Sequence, residues 1–188
     1  MLQRVFVDAD ILAARIPFEW LALLRDETGA FQLHSSTAVV SDAVRMWRDR
    51  DPAARGASAE RRRDLLVAAL DELVDAEVDV DTAAPAGPDG ARAHEVAVMS
   101  GADVLLSSGA REIAGADLLP FELATPDEFL CVVDDLAGAA VRNVALEQAG
   151  RDGADTPGAA EPLTHALIAA GCPGFAERVR AHLRTSRA

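Results

Sequence analysis

The chain has 188 residues, half of them apolar, and a formal net charge of −13. That length and apolar content can bury a core, which excludes a peptide hormone or a disordered tail. No apolar run approaches the roughly 20 residues of a membrane span, and all 18 basic residues are arginine, so a lysine-dependent phosphate loop is excluded.

Short β-type runs alternate with helical ones along the chain, the pattern of a parallel sheet flanked by helices. Residues 4–8 read as a first, buried strand with no signal-peptide pattern, and the expected location is cytoplasmic. Phe18, Leu21, Ala22, Leu24 and Arg25 predict an amphipathic helix over residues 17–26, stopped by Thr28-Gly29. Residues 31–34 predict a second strand. Ser35-Ser36-Thr37 offers N-caps for a helix to about Arg50 that carries Val40, Val44 and Trp47. A loop from Asp51 to Ser58 leads to a helix through Leu65, Leu66, Ala69, Leu70 and Leu73.

Residues 78–80 are a third strand candidate, and residues 82–90, with two prolines and two glycines, predict a loop. A helix over residues 91–100 then turns at Gly101-Ala102-Asp103 into the apolar strand Val104-Leu105-Leu106. Residues 121–124 predict another strand. Thr125-Pro126-Asp127-Glu128 has the order of a helix start: threonine as cap, proline at the first position, acids in the first turn. From Leu136 onward the chain reads as helical, with a break over residues 150–160 and a second at Gly171-Cys172-Pro173-Gly174. Cys131 and Cys172 lack CxxC spacing and are expected as buried thiols rather than zinc ligands or a disulfide.

The net charge has the wrong sign for a nucleic-acid binder, whose affinity comes largely from cationic side chains. Two explanations remain. Either the acid is gathered in a cleft for a divalent cation with arginines around it, or nucleic acid is not a partner. Arginine clusters occur at Arg45, Arg48 and Arg50, at Arg61-Arg62-Arg63, and at Arg178, Arg180, Arg184 and Arg187, each most simply a solvated helix face. Metal-dependent phosphodiester cleavage needs carboxylates converging on one or two cations, and ligand sites of open α/β sheets form outside the carboxyl ends of the strands. Asp8 and residues 107–112 fall at such ends. From spacing alone, Asp8 serves equally well as a metal ligand or as a helix N-cap.

The run Val5-Phe6-Val7-Asp8-Ala9-Asp10-Ile11-Leu12 resembles the strand and Asp-Ala-Asn-Val-Leu opening of PIN-domain nucleases. Leu23-Leu24-Arg25-Asp26-Glu27-Thr28-Gly29 followed by Phe31-Gln32-Leu33-His34, then Gly101-Ala102-Asp103-Val104-Leu105-Leu106-Ser107, then Thr125-Pro126-Asp127-Glu128-Phe129-Leu130, resemble the VapC-like toxin ribonucleases of bacterial toxin–antitoxin pairs, in the same order. The resemblance spans roughly residues 3–135. It implies a three-layer α/β/α PIN-like fold with a central, mostly parallel sheet over residues 1–135 and a helical C-terminal extension over residues 136–188. It also implies an Mg²⁺- or Mn²⁺-dependent endoribonuclease acting on RNA, held by a cognate antitoxin protein, with a homodimer as a further expected association.

Carried over position by position, the metal-binding acids fall on Asp8, on Asp42 where Glu is usual, and on Glu112 where Asp is usual, with Ser107 in place of a threonine that positions a carboxylate or water. The third acid aligns with Gly90, and the histidine that often follows it aligns with Arg92. Asp89 stands one residue early; a loop absorbs such a shift, whereas in a fixed helical turn it points about 100° away. His94 and Glu95 lie further along the same segment. The alternative from a different class is a catalytically degenerate PIN domain acting as a protein-binding module. A phosphohydrolase using Asp8 as nucleophile in the Asp8-x-Asp10 pair ranks last, because such enzymes want a lysine near the phosphate.

Overall fold

Strand β1 (Gln3–Val7) ends in three consecutive residues, Val5, Phe6 and Val7, with no solvent exposure. An unbroken apolar run suits a central parallel strand covered on both faces, where alternation with polar residues would bury polar side chains without partners. The computed structural model describes residues 2–50, 56–74, 87–110, 118–151 and 160–185, those at 87–92, 151 and 160 by their backbone alone. Among these residues β1 lies at the centre of one five-stranded sheet of order β3-β2-β1-β4-β5, formed with β2 (Phe31–Ser36), β3 (Glu72–Val74), β4 (Val104–Leu106) and β5 (Glu122–Ala124). Every pairing is parallel, and helices flank the sheet in the expected three-layer α/β/α arrangement. No helix among the described residues is long and apolar enough to cross a membrane.

The strand order fixes where a site can form. From β1 the chain winds outward through β2 and β3, then crosses back to place β4 on the other side of β1. The winding therefore reverses between β1 and β4, and it is beyond the carboxyl ends of strands at such a reversal that open α/β sheets form their ligand crevice. In register Val7 stands beside Leu106, and the Asp8 amide donates to the Leu106 carbonyl at 3.0 Å.

Local signals explain several elements. After the one-turn α1 (Ala9–Ala13), helix α2 (Arg15–Thr28) ends at Gly29, whose φ of 57° closes it in the left-handed region that glycine enters at no steric cost. Ser36 accepts from the Val39 amide at 3.2 Å and caps α3 (Thr37–Arg50), as its position predicts. Helix α6 (Pro126–Arg151) opens with a reciprocal capping box: the Glu128 amide donates to Thr125 Oγ1 at 3.3 Å, and the Thr125 amide to Glu128 Oε2 at 2.9 Å.

Three expectations are corrected. The helix expected through Leu73 stops early, as α4 (Ala57–Ala68), and residues 72–74 become β3. Tertiary hydrogen bonds decide this. Asp71 brackets Leu33 through both its amide and its carboxylate, each at 2.8 Å, and Arg25 takes the Ala69 carbonyl at 2.7 Å, so the chain leaves the helix to join β2. Residues 87–90, expected as loop, are the first turn of α5 (Gly87–Met99), while residues 78–80 and 82–86 lie outside the described residues. Cys131, expected buried, is only half-buried; Cys172 is fully buried, and both are free thiols.

The C-terminal helices α7 (Ala160–Ala169) and α8 (Pro173–Thr185) belong to the same hydrophobic cluster as β1, through Leu163, Leu167, Phe175, Val179 and Leu183. Phe175 meets Trp20 of α2 edge to face, with ring centroids 5.0 Å apart. Helix α6 runs across residues 135 and 136 and kinks at Ala137 (φ −140°, ψ 44°). Asp127 in its first turn accepts from the Gly174 and Phe175 amides at 3.2 and 2.8 Å, so one helix start caps another. Asp134 holds Arg178 at 3.1 Å and His182 at 2.6 Å. Asp127→Ala removes both acceptors from the α8 N-terminus and is expected to cost about 1–2 kcal/mol in urea denaturation, as loss of an N-cap does.

Candidate functional site

Asp8 leaves the end of β1 in an extended conformation and caps α1, its Oδ1 accepting from the Ala9 amide at 2.6 Å. The Ser107 side chain, at the matching end of β4, lies close enough to lower the pKa of this carboxyl. Asp8 is thus a cap, and it also sits in the crevice at the reversal of the sheet. Asp10, one residue into α1, reaches across the same crevice, where its Oδ2 accepts from the Ser108 amide at 2.8 Å. Its other oxygen, Oδ1, is buried with no hydrogen-bond partner among the described residues. An unsatisfied carboxylate oxygen costs free energy unless a donor or cation meets it.

The electrostatics agree with the geometry. The Asp8 carboxyl is pushed up to about 6: burial contributes most and the neighbouring charge of Asp10 next, the Ala9 amide and Ser107 side chain oppose the rise, and Asp42 adds a smaller increment. Behind the site, Ser35 Oγ donates to the Val7 carbonyl at 3.0 Å and fixes the end of β1 against β2. Since Ser36 caps α3 directly beside this point, Asp42 in the second turn of that helix comes close enough for its charge to be felt at Asp8. Asp42 also pairs with Arg45 at 3.2 Å.

The structure therefore brings Asp8, Ser107 and, at longer range, Asp42 to one place. Glu112 lies outside the described residues, as does the side chain of Asp89, whose backbone is in the first turn of α5. Among the described residues, no three His, Cys, Asp or Glu side chains gather closely enough to hold a metal ion. His94 packs its buried ring edge-on to Phe121 at 6.0 Å, and burial lowers its pKa, so it is a core residue. Asp10 is the site residue that the carried-over pattern passed over, because an asparagine is usual there; the Asp8-x-Asp10 spacing was its only sequence signal.

No family model, curated protein or solved structure matches the chain. What can be said of its chemistry rests on these residues.

A raised carboxyl pKa has a definite consequence for stability. The folded state prefers protonated Asp8, so this stabilisation is fully present below the unfolded value of 3.8 and is lost as pH rises through about 6. The shift corresponds to roughly 3 kcal/mol. In EDTA, the protein is expected to be less stable at pH 7.5 than at pH 5 by roughly 1.4 kcal/mol from this residue, since pH 5 lies only about one unit below the folded pKa, and Asp8→Asn should flatten the difference in paired denaturation curves.

Proposed function

We propose that this protein is a PIN-type, Mg²⁺- or Mn²⁺-dependent endoribonuclease, the toxin of a toxin–antitoxin pair. One observation carries the proposal: two carboxylates at the reversal of a parallel sheet, one with its pKa pushed up by burial and by its neighbour, the other with a buried oxygen that nothing meets. The sequence resemblance to PIN nucleases supports it, and so does the strand order, which opens a crevice beside Asp8 and Ser107.

The donor set fits a hard cation, which takes oxygen ligands and is drawn to uncompensated carboxylates. Asp8 and Asp10 would hold it, with Asp42, Glu112 and Asp89 as the remaining acids of the set. When bound, the metal polarises the scissile phosphodiester and lowers the pKa of the attacking water. The chain's own contribution is positional. Ser107 and the Ala9 amide fix the Asp8 carboxylate, the Ser108 amide fixes Asp10 with its second oxygen directed elsewhere, and the apolar ends of β1 and β4 keep the base of the crevice dry. The substrate in this proposal is RNA, and the cognate antitoxin is the inhibitor.

A second reading, a degenerate PIN domain acting as a protein-binding module, is favoured by the Asp42–Arg45 ion pair, which neutralises one acid, and by Gly90 where the third acid is usual. Metal and cleavage assays separate the two. For the nuclease, millimolar Mn²⁺ should raise the melting temperature by binding the folded chain, and Asp8→Asn should abolish the rise. An unmoved melting temperature would remove the metal site. Purified protein should cleave single-stranded RNA with Mn²⁺ or Mg²⁺, Ser107→Ala should slow cleavage about 10–100-fold, and Asp89→Asn should match Asp8→Asn if Asp89 supplies the third acid. For the binding module, the wild type is inert with every metal.

A further inference from the structure

Arg62 departs from the solvated face expected of its cluster. Its Nη2 donates to the Leu12 carbonyl at 2.9 Å, satisfying the end of α1, while its Nε is buried with no partner among the described residues. Burial lowers its pKa and the neighbouring Arg15 lowers it further, so this guanidinium sits where its positive charge is under-compensated. Arg61 beside it is exposed and has no carboxylate partner among the described residues, in contrast to Arg25, Arg45, Arg178 and Arg180.

These two arginines share an open cleft of about 520 Å³ with Trp47, Ala57, Ser58 and Leu65, between α3 and α4. Such a volume suits a ligand of nucleotide size. Helix α4 begins at Gly56 with no side-chain cap, so the first-turn amides of Ala57 and Ser58, on the cleft wall, lack intrahelical acceptors. One cleft therefore combines two arginines without acidic partners, free amide donors and an indole. Arginine forks and amides suit phosphate, and an indole face suits a stacked base. A phosphopeptide would use the first two features and leave Trp47 unexplained. Leu12 lies about 6 Å of helical rise beyond Asp8, so Arg62 ties the cleft to the carboxylate edge through α1.

We propose that the Trp47–Arg61–Arg62 cleft is a binding subsite for one nucleotide unit of single-stranded RNA, with the phosphate at the arginines and the base on Trp47. The choice of RNA rests on the ribonuclease reading above. A basic subsite of this kind also reconciles RNA binding with a net charge of −13.

The test uses intrinsic fluorescence, because Trp20 is buried against Phe175 and Trp47 lines the cleft. Titrating the full chain in EDTA, where a metal-dependent nuclease cannot cut, with hexauridylate should quench emission saturably, and Trp47→Phe should abolish the quench. Arg61→Ala, at an exposed position that leaves the fold intact by circular dichroism, should weaken binding about tenfold and reduce the salt slope by about one. RNA cleavage in Mg²⁺ is assayed in parallel. Cleavage by the wild type with no Trp47 quench, or with Trp47→Phe and Arg61→Ala binding as the wild type does, overturns the subsite and leaves the nuclease standing. A Trp47 quench in a protein that cleaves nothing keeps the subsite and removes the nuclease. Equal quenching by inorganic phosphate or by a phosphoserine peptide overturns the assignment to RNA.

Discussion

The parallel pairing of β1 with β4 is the constraint on which the site depends. It sets Val7 beside Leu106, so that the residues immediately beyond, Asp8 and Ser107, emerge together at the one place where the winding of the sheet reverses. The apolar character of both strands makes this possible, because a strand buried on both faces has nowhere to place a polar side chain until it ends. Polar groups accumulate at that end. Asp8, Asp10, Ser35, Ser36, Ser107 and Ser108 all lie within two or three residues of a strand terminus, and several of them satisfy one another.

The incomplete satisfaction is informative. Serines and amides compensate Asp8 on one side, while Asp10 and Asp42 add like charge on the other, and burial wins the balance by raising the Asp8 carboxyl to about 6. A purely structural cap would need none of this, since a solvated carboxylate performs the same capping role at no desolvation cost. The crevice thus combines a strained charge balance with a buried oxygen left open, and it spends stability to do so.

Several acids elsewhere are compensated. Asp127 caps α8, Asp134 joins Arg178 to His182, and Asp71 pins β3 to β2. The C-terminal helices are fastened by these contacts and by Phe175 against Trp20, and they complete the core over α2 and α6 instead of standing apart from it. The contrast with Arg61 and Arg62, which lack acidic partners among the described residues, distinguishes the α3–α4 cleft from the paired arginines Arg178 and Arg180 of α8.

Sequence by itself determined the elements whose signals are local. The buried runs of β1 and β4, the Gly29 stop, the Ser36 cap and the Thr125–Glu128 capping box are each written in a few adjacent residues, and the alternation of strands and helices determined a parallel α/β sheet. Asp8 was legible as a cap, and as a candidate ligand in the same reading, because both expectations follow from its place after a buried strand. Only the tertiary structure decided the rest. The strand at Glu72–Val74 depends on hydrogen bonds from Asp71 to Leu33 and from Arg25 to Ala69, partners 38 and 44 residues away, which no window of sequence contains. Asp10 and Arg62 likewise gained their meaning from Ser108 and Leu12, 98 and 50 residues distant. Propensity and periodicity report a residue's own backbone, whereas burial, compensation and charge are set by the groups that folding brings against it.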